Sequence, residues 1–216
     1  MCIVNCKLIG LTGPSGAGKT AAARILESLG CAVIDGDALA REIVLPGSPV
    51  LQKLAERFGE DICKGGILDR SLLAERAFAS EKARQDLNSI THPAITELAM
   101  TREKALQGYR AIVLDAAALP ESELAALCRH ILIVTAPEEL RLRRILARGG
   151  VTEEAARRRI EAQRHMDWSG AGHTIILNEG SEEALRLAVE KAFYAMAGDP
   201  GAAAGGASGA VAAPEA

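Results

Sequence analysis

Apolar residues of this chain fall into two alternating patterns, short continuous runs and longer amphipathic stretches. Five runs of strand length are apolar almost throughout, at residues 8–11, 32–34, 111–114, 131–134 and 174–177. Runs without polar alternation are typical of a parallel sheet that is covered on both faces. Helical periodicity is predicted at residues 20–29, 49–58, 72–78, 81–90, 93–106, 137–148, 152–163 and 182–196. The pattern predicts an α/β fold in three layers, with a five-stranded parallel sheet flanked by helices.

One long interval interrupts the alternation of strands and helices. Between Asp35 and Asp115 lie four amphipathic stretches and no convincing strand, which is too much chain for a simple crossover. We predict a helical insertion at about residues 45–108 that covers a second substrate. Residues 1–197 are predicted to form a single domain. Residues 198–216 are rich in Gly and Ala and are predicted to be disordered, because they cannot bury a core.

The helix ends carry the expected local signals. Ser80, Thr152 and Ser181 each stand immediately before a helical stretch, where a side-chain oxygen can accept a hydrogen bond from a free backbone N–H group. Pro137 stands near a predicted first turn, where its missing N–H group is not needed. These residues therefore predict where three helices begin and support a fourth.

A glycine-rich loop follows the first predicted strand and leads into the first predicted helix. It reads Gly-Pro-Ser-Gly-Ala-Gly-Lys-Thr and matches the phosphate-binding P-loop pattern. The backbone N–H groups of such a loop, with the N-terminus of the following helix, cradle nucleotide phosphates. Lys19 is predicted to reach the β- and γ-phosphates, and Thr20 is the predicted ligand of Mg²⁺. The predicted nucleotide-binding residues of this loop are Gly13, Pro14, Ser15, Gly16, Ala17, Gly18, Lys19 and Thr20.

The alternative interpretation of this segment is a glycine-rich turn with a surface lysine. The strand before it and the helix after it favour the phosphate-binding interpretation, and with it a P-loop NTPase fold. The sequence contains no Asn-Lys-x-Asp motif for guanine and no Leu-Ser-Gly-Gly-Gln motif of transporters. We therefore predict an enzyme that uses ATP.

Two carboxylates follow the second predicted strand. Asp35 and Asp37 fall at the carboxyl edge of the sheet, the same edge as the phosphate-binding loop. A carboxylate there can accept the proton of a hydroxyl group that is being phosphorylated, or orient that hydroxyl group. The alternative is that both residues cap a helix that starts near Ala38. The residues alone leave this choice open.

Arginines are concentrated in one part of the chain. Eight of the 18 arginines lie within residues 141–164, and Arg141, Arg144 and Arg148 recur on one face of a predicted helix. Gly149 and Gly150 follow as a flexible break. We predict a lid at about residues 141–165, with two or three arginines that neutralise a transferring phosphoryl group. The alternative is a solvated helix whose arginines pair with interleaved glutamates.

Composition narrows the possible partners. The net charge is -3 and aromatic residues make up only 3% of the chain, which argues against a nucleic-acid binder. The five cysteines form no Cys-x-x-Cys pair, and no stretch is long and apolar enough for a membrane span. We expect a reduced, cytoplasmic protein, a monomer or weak oligomer, that binds small molecules and neither nucleic acid nor membrane.

Several spaced motifs resemble those of the dephospho-coenzyme A kinase family over about residues 8–190. The matching segments are Gly10–Thr20, Val33–Arg41, Pro46-Gly47, Phe58-Gly59, Gly66–Arg70, Ile90–Pro93, Arg159–Gln163 and Asn178–Gly180. The resemblance implies phosphorylation, dependent on ATP and Mg²⁺, of the ribose 3′-hydroxyl of dephospho-CoA. This reaction is the last step of coenzyme A biosynthesis.

The resemblance also implies roles for individual residues. Asp37 would be the general base, assisted by Lys19 and by the lid arginines Arg144 and Arg148. The implied acceptor-binding residues are Asp35, Arg41, His92 and Asp115, and the residues implied near ATP are Arg148, Asn178 and Gly180. For His92 the alternative is a residue at a helix N-terminus, held extended because Pro93 follows it.

The sequence departs from the family pattern in several places, including Gly149 after Arg148 and Gly172-His173 before the fifth predicted strand, where the family usually has Asp and Ala-Asp. Residues 115–121 read Asp-Ala-Ala-Ala-Leu-Pro-Glu, where the family usually has Asp-x-Pro-Leu-Leu-Phe-Glu, and Arg141 replaces the usual lid Gln. Two other functions therefore stay open beside dephospho-CoA phosphorylation. One is another small-molecule or nucleoside monophosphate kinase on this fold, and the other is a non-catalytic nucleotide-binding regulator.

Overall fold

The computed structural model describes residues 8–164 and 173–197, apart from residues 118, 120 and 121. Its strands are β1 (Leu8–Thr12), β2 (Ala32–Asp35), β3 (Cys63–Lys64), β4 (Ile67–Leu68), β5 (Ile112–Asp115), β6 (His130–Thr135) and β7 (His173–Leu177). Its helices are α1 (Lys19–Ser28), α2 (Gly36–Glu42), α3 (Pro49–Phe58), α4 (Arg70–Ala77), α5 (Glu81–Ala105), α6 (Glu138–Ala147), α7 (Glu153–Glu161) and α8 (Glu182–Ala197). His165 of the predicted lid and the predicted tail lie outside the described residues.

The five apolar runs form one parallel sheet in the order β2-β5-β1-β6-β7. The register pairs Asp115 at the end of β5 with Leu11 of β1 on one side and with Asp35 of β2 on the other. The carboxyl ends of these three strands therefore meet at one edge of the sheet. The phosphate-binding loop leaves β1 at the same edge, as the sequence predicts.

Helices cover both faces of the sheet, which confirms the predicted three-layer α/β fold. On one face, Ile9 and Leu11 pack with Leu26 of α1 and Phe193 of α8. On the other face, Ile112 packs with residues of α2 and α5. All of the named side chains are buried. Successive residues of a strand point to opposite faces of the sheet, and helices cover both faces.

The segment between β2 and β5 forms a helical subdomain with its own core. Leu54, Phe58, Ile62 and Leu73 pack together there, away from the sheet. It also contains β3 and β4, a hairpin that the sequence pattern did not predict. Strands of two residues are too short to show a hydrophobic period, and the turn between them consists of two glycines with positive φ.

The last helix of the insertion is continuous. Two helices are predicted at 81–90 and 93–106, but the structure has the single helix α5 with Pro93 inside it. Leu87, Ile90 and Ile95 all pack onto the core of the insertion, and this burial outweighs the hydrogen bond that Pro93 cannot donate. The interpretation of His92 as an extended residue at a helix N-terminus is therefore wrong.

The predicted helix caps are present. The side-chain oxygens of Ser80, Thr152 and Ser181 each accept a backbone hydrogen bond from three residues ahead, over 3.1–3.2 Å. Pro137 is itself the residue before α6. Within the described ranges, no helix combines the length and the apolar character that a membrane span requires.

Candidate active site

The phosphate-binding loop is packed closely against neighbouring elements. A Cβ atom on Gly16 would lie 2.6 Å from the carbonyl oxygen of Arg141 in α6, and one on Gly13 would overlap the carbonyl oxygen of Val134. Only glycine allows the loop to pass this close to β6 and α6. The glycine pattern in the sequence thus serves packing as well as phosphate binding.

An open cavity of about 380 Å³ lies over this loop, and we call it the phosphate cavity. Among the residues that line it are Gly13, Pro14, Ser15, Gly16, Gly18, Lys19, Thr20, Asp37, Arg148, Arg159 and Gln163. Every predicted loop residue except Ala17 therefore faces this space. Ala17 is buried, and its carbonyl oxygen accepts hydrogen bonds from behind the loop.

Lys19 forms an ion pair with Asp115 on the floor of the site. Burial raises the pKa of Asp115 above its usual value, and the negative charges of Asp35 and Asp37 act in the same direction against the attraction of Lys19. The structure thus places Asp115 beside the phosphate-binding lysine. Asp115 is not among the residues that line the second cavity, beneath α5, which is described below.

The oxygen groups at this edge fit the way proteins bind Mg²⁺. Thr20, which carries a hydroxyl group, and Asp37, which carries a carboxylate, both line the phosphate cavity. In the described part of the chain, no three His, Cys, Asp or Glu side chains cluster into a metal cage. Proteins hold Mg²⁺ through one or two oxygens together with substrate phosphates, so Thr20 and Asp37 are of the chemical type that such a site uses.

The three arginines on one face of α6 have three different surroundings. Arg148 lines the phosphate cavity. The guanidinium group of Arg144 donates to the carbonyl oxygens of Asn178 at 3.0 Å and Ala17 at 3.4 Å. Arg141 is buried, and its Nε and Nη1 atoms have no hydrogen-bond partner among the described residues. Only Arg148 of these three therefore reaches the space over the loop.

Asn178 connects the loop after β7 to the phosphate-binding loop. Its Nδ2 atom donates to the carbonyl oxygen of Ala17 at 2.7 Å, and its Oδ1 atom accepts from Arg144 at 3.4 Å. The side chain is buried, whereas Gly180, two residues on, is exposed. The predicted ATP-binding residue Asn178 thus braces the back of the loop.

The polar residues of α7, which lies in the predicted lid, are divided between solvent and the site. Arg157 and Arg158 pair with Glu153 and Glu154 one turn earlier, as the solvated-helix alternative proposes for such arginines. Arg159 lines the phosphate cavity, and just beyond α7 the Oε1 atom of Gln163 accepts a hydrogen bond from the backbone N–H of Ser15 at 2.9 Å. Neither Arg159 nor Gln163 is assigned a role from the sequence, although they are the first and last residues of a motif that carries the family resemblance.

A second cavity, of about 150 Å³, lies beneath α5 on the other side of Asp37. We call it the α5 cavity, and its lining residues are Gly36, Asp37, His92, Ile95, Thr96, Ala116, Ser122, Glu123 and Leu124. His92, which the resemblance implies to be near the acceptor, lies on the wall of this cavity. Asp37 borders both cavities, so it stands between a phosphate donor and whatever occupies the α5 cavity.

Asp35 and Arg41 lie outside both cavities. The Oδ1 atom of Asp35 accepts from the backbone N–H of Ala38 at 3.0 Å and caps α2, while Arg41 contacts the same carboxylate at 3.4 Å. Both side chains are more than half exposed. The helix-capping interpretation is therefore correct for Asp35, whereas Asp37 lies in the first turn with a carboxylate free to face the site.

A P-loop after the first strand, two arginines that line the cavity over it and an aspartate that lines two cavities are the features of a P-loop kinase. The family model that matches residues 7–183 is described as dephospho-CoA kinase. The chain therefore belongs to the dephospho-CoA kinase family and is a kinase. These findings favour neither a different kinase nor a non-catalytic regulator.

Individual relatives agree with this assignment. The dephospho-CoA kinase of Syntrophotalea carbinolica is 42% identical over 183 residues, which cover 83% of this chain and 87% of the relative. That of Corynebacterium diphtheriae is 43% identical over 189 residues, covering 85% and 94%. A solved structure from Thermus thermophilus matches with a TM-score of 0.74 and 30% identity over 88% of this chain and 98% of its own.

Proposed function

We propose that this protein transfers the terminal phosphoryl group of ATP to the 3′-hydroxyl of dephospho-CoA and so forms coenzyme A. The position of Asp37 carries the proposal. Asp37 lines both the phosphate cavity and the α5 cavity. A hydroxyl group held at Asp37 therefore lies between the two spaces, where in-line transfer from a nucleotide on the loop is geometrically simple.

The phosphate cavity supplies the groups that a transferring phosphoryl group requires. Backbone N–H groups of the loop and the N-terminus of α1 hold the phosphates, while Lys19 and Arg148 face the negative charge that spreads over the transferring oxygens. Thr20 is the residue that would hold Mg²⁺. When bound, Mg²⁺ neutralises charge on the β- and γ-phosphates.

Asp37 supports the acceptor side of the reaction. Its carboxylate accepts or orients the proton of the 3′-hydroxyl, so that the oxygen can attack the γ-phosphorus while ADP leaves. His92 and the other residues of the α5 cavity hold a part of the acceptor nearby. We further propose that the protein acts as a monomer or weak oligomer in the reducing cytoplasm.

A coupled assay tests this function. ADP formation from ATP and Mg²⁺ should require dephospho-CoA, and mass spectrometry of the product should show one added phosphate at the 3′ position. AMP, GMP and shikimate serve as alternative acceptors. Preference for one of these, or ADP formation that is independent of any acceptor, contradicts the proposal. Light scattering of the full chain gives its mass in solution.

A further inference from the structure

We propose that the α5 cavity binds the adenine base of the acceptor, and that Thr96 helps to select that base. This inference rests on the proposed function. It assigns one part of dephospho-CoA to one cavity and leaves the diphosphate and the pantetheine arm outside it. The argument uses the chemistry of the acceptor together with the size, charge and hydrogen bonding of the cavity.

The covalent structure of the acceptor limits which part can lie beside Asp37. The reacting 3′-hydroxyl and the adenine base are attached to the same ribose ring. The pantetheine arm is separated from that ring by the 5′ carbon and two phosphates. Once the 3′-hydroxyl is held at Asp37, the base is therefore the uncharged group closest to the α5 cavity.

The charge of the cavity excludes the diphosphate. Among its lining residues in the described part of the chain, Asp37 and Glu123 carry carboxylates and His92 an imidazole, and none is a lysine or an arginine. Two phosphates would meet repulsion and no strong donor there. A purine is uncharged, and its exocyclic amino group can donate to the carboxylate of Glu123 at the mouth of the cavity.

The size and the walls of the cavity suit a flat ring. Its volume of about 150 Å³ is too small for a whole coenzyme but matches a cavity that accepts a benzene-sized ring. Ile95, Ala116 and Leu124 supply apolar surface on its walls. Apolar contact on the ring faces and a few polar groups at the ring edge are typical of a base-binding pocket.

Thr96 has a hydroxyl group without a partner. In the same helix, Thr91 and Thr101 each donate to the carbonyl oxygen four residues earlier, at 2.9 Å. The Oγ1 atom of Thr96 is buried, yet it has no hydrogen-bond partner among the described residues. A buried hydroxyl without a partner is costly, and a rotation about χ1 would turn this one toward a ring nitrogen of the base.

Thr96→Val tests the role of this hydroxyl, because valine keeps the shape of the side chain. We expect KM for dephospho-CoA to rise about 5- to 10-fold, with kcat and the Kd of ATP almost unchanged. Thermal stability should stay the same or rise, since an unpartnered buried hydroxyl is removed. Thr101→Val, whose hydroxyl is bonded within the helix, is the matched control and should leave KM unchanged. An unchanged KM in Thr96→Val overturns the role of Thr96.

Methyl NMR tests the position of the base directly. With a non-hydrolysable ATP analogue at saturation, dephospho-CoA should shift the methyl signals of Ile95 and Leu124 through the ring current of its adenine. 4′-Phosphopantetheine should not shift them. If wild-type protein turns over dephospho-CoA but these methyl signals do not move, or if they move with 4′-phosphopantetheine, the cavity assignment is overturned while the proposed function stands. If dephospho-CoA is not turned over at all, the proposed function itself fails.

Discussion

The position of Asp37 is set by the two residues that precede it. Asp35 ends β2 and caps α2, and Gly36 passes so close to Ala116 that a Cβ atom there would lie 2.8 Å from the alanine Cβ. The chain therefore turns sharply from strand to helix and leaves Asp37 in the first helical turn. From there its carboxylate borders both cavities.

Removing the charge of Asp37 should affect chemistry more than nucleotide binding. We expect Asp37→Asn to lower kcat by about 10²- to 10⁴-fold, because a general base or an orienting carboxylate contributes on that scale. The Kd of ATP, measured by calorimetry, should change little. Asp61→Asn, which removes an exposed carboxylate paired with Arg76 in the insertion, is the control. Equal losses of kcat in both variants would contradict the assignment.

Cys128 illustrates how burial changes the chemistry of one side chain. Burial raises the pKa of its thiol from an ordinary value of 9.0 to about 12, and the Sγ atom donates to the carbonyl oxygen of Leu124. Because the pKa is higher in the folded state, the thiol opposes folding only as the pH rises above 9.0 toward about 12.

Native Cys128 should therefore resist alkylation. At pH 8 its thiolate fraction is about 10³-fold below that of a thiol with a pKa of 9.0, so iodoacetamide should modify Cys63 before Cys128, although both side chains are half-buried. Peptide mass spectrometry at timed intervals measures both rates. Denaturation in urea should remove the difference, and rapid labelling of Cys128 in the native protein would contradict its burial.

At the scale of elements, α6 and the loop after β7 hold the phosphate-binding loop from behind. Arg144 contributes a guanidinium group and Asn178 an amide, and both bond to the carbonyl oxygen of Ala17. The carbonyl oxygen and the N–H group of a peptide unit point in opposite directions. Holding the carbonyl oxygen of Ala17 at the back of the loop therefore helps the N–H groups of the loop to point toward the phosphates. The shape of the loop thus depends on elements that follow it by more than a hundred residues.

Removing the amide should loosen this brace. We expect Asn178→Ala to lower the free energy of unfolding by about 1–3 kcal/mol, because a buried hydrogen-bonding group loses its partner. The Kd of ATP should rise as well. Urea denaturation and calorimetry measure the two effects. Gln85→Ala removes an exposed amide from α5 and should have almost no effect on either. Unchanged ATP binding in Asn178→Ala would show that the loop keeps its shape without the brace.

At the scale of the whole molecule, the insertion and the sheet have separate cores that share one helix. Leu54 and Phe58 lie in the core of the insertion, whereas Ile112 and Leu114 of β5 lie in the core between the sheet and the helices α2 and α5. Ile95 and Leu98 of α5 pack against both cores. We therefore expect that destabilising the insertion weakens the binding of the acceptor without large changes in the binding of ATP.

A matched pair of cavity variants tests this separation. Leu54→Ala should cost about 2–5 kcal/mol and should reduce hydrogen-exchange protection mainly in α3 and α4. It should raise KM for dephospho-CoA and leave the Kd of ATP nearly unchanged. Leu26→Ala makes the same change in α1, where the leucine is equally buried, and should weaken ATP binding instead. If both variants weaken the binding of the same substrate, the core of the insertion and the core on the α1 face of the sheet are not separable.

Much of the fold is predictable because its signals are local. All five strands of the sheet lie within a residue or two of their predicted positions, since continuous apolar runs identify buried strands. Two features of the insertion were not predicted. The hairpin of β3 and β4 is too short to show a period, and α5 continues through Pro93 because tertiary packing outweighs a local breaker.

The site is predictable to a lesser degree. The loop residues and Asp37 lie together as expected, because glycine spacing and strand ends are local features. The contact of Gln163 with Ser15 spans 148 residues, and the ion pair of Lys19 with Asp115 spans 96. No local pattern reports such contacts, so the roles of Gln163 and Asp115 could not be assigned from spacing alone.

The amino-acid sequence by itself determined the five strands of the parallel sheet, most of the helices, the phosphate-binding loop and the carboxylate after β2. Tertiary structure decided what each arginine of α6 does. Arg141, Arg144 and Arg148 share one helical face and have the same side chain, so their local patterns are equivalent. They differ in what packs against them: Gly16 against Arg141, Asn178 against Arg144 and an open cavity beside Arg148. Burial and hydrogen bonding are properties of the assembled chain, and they separate three residues that the sequence cannot distinguish.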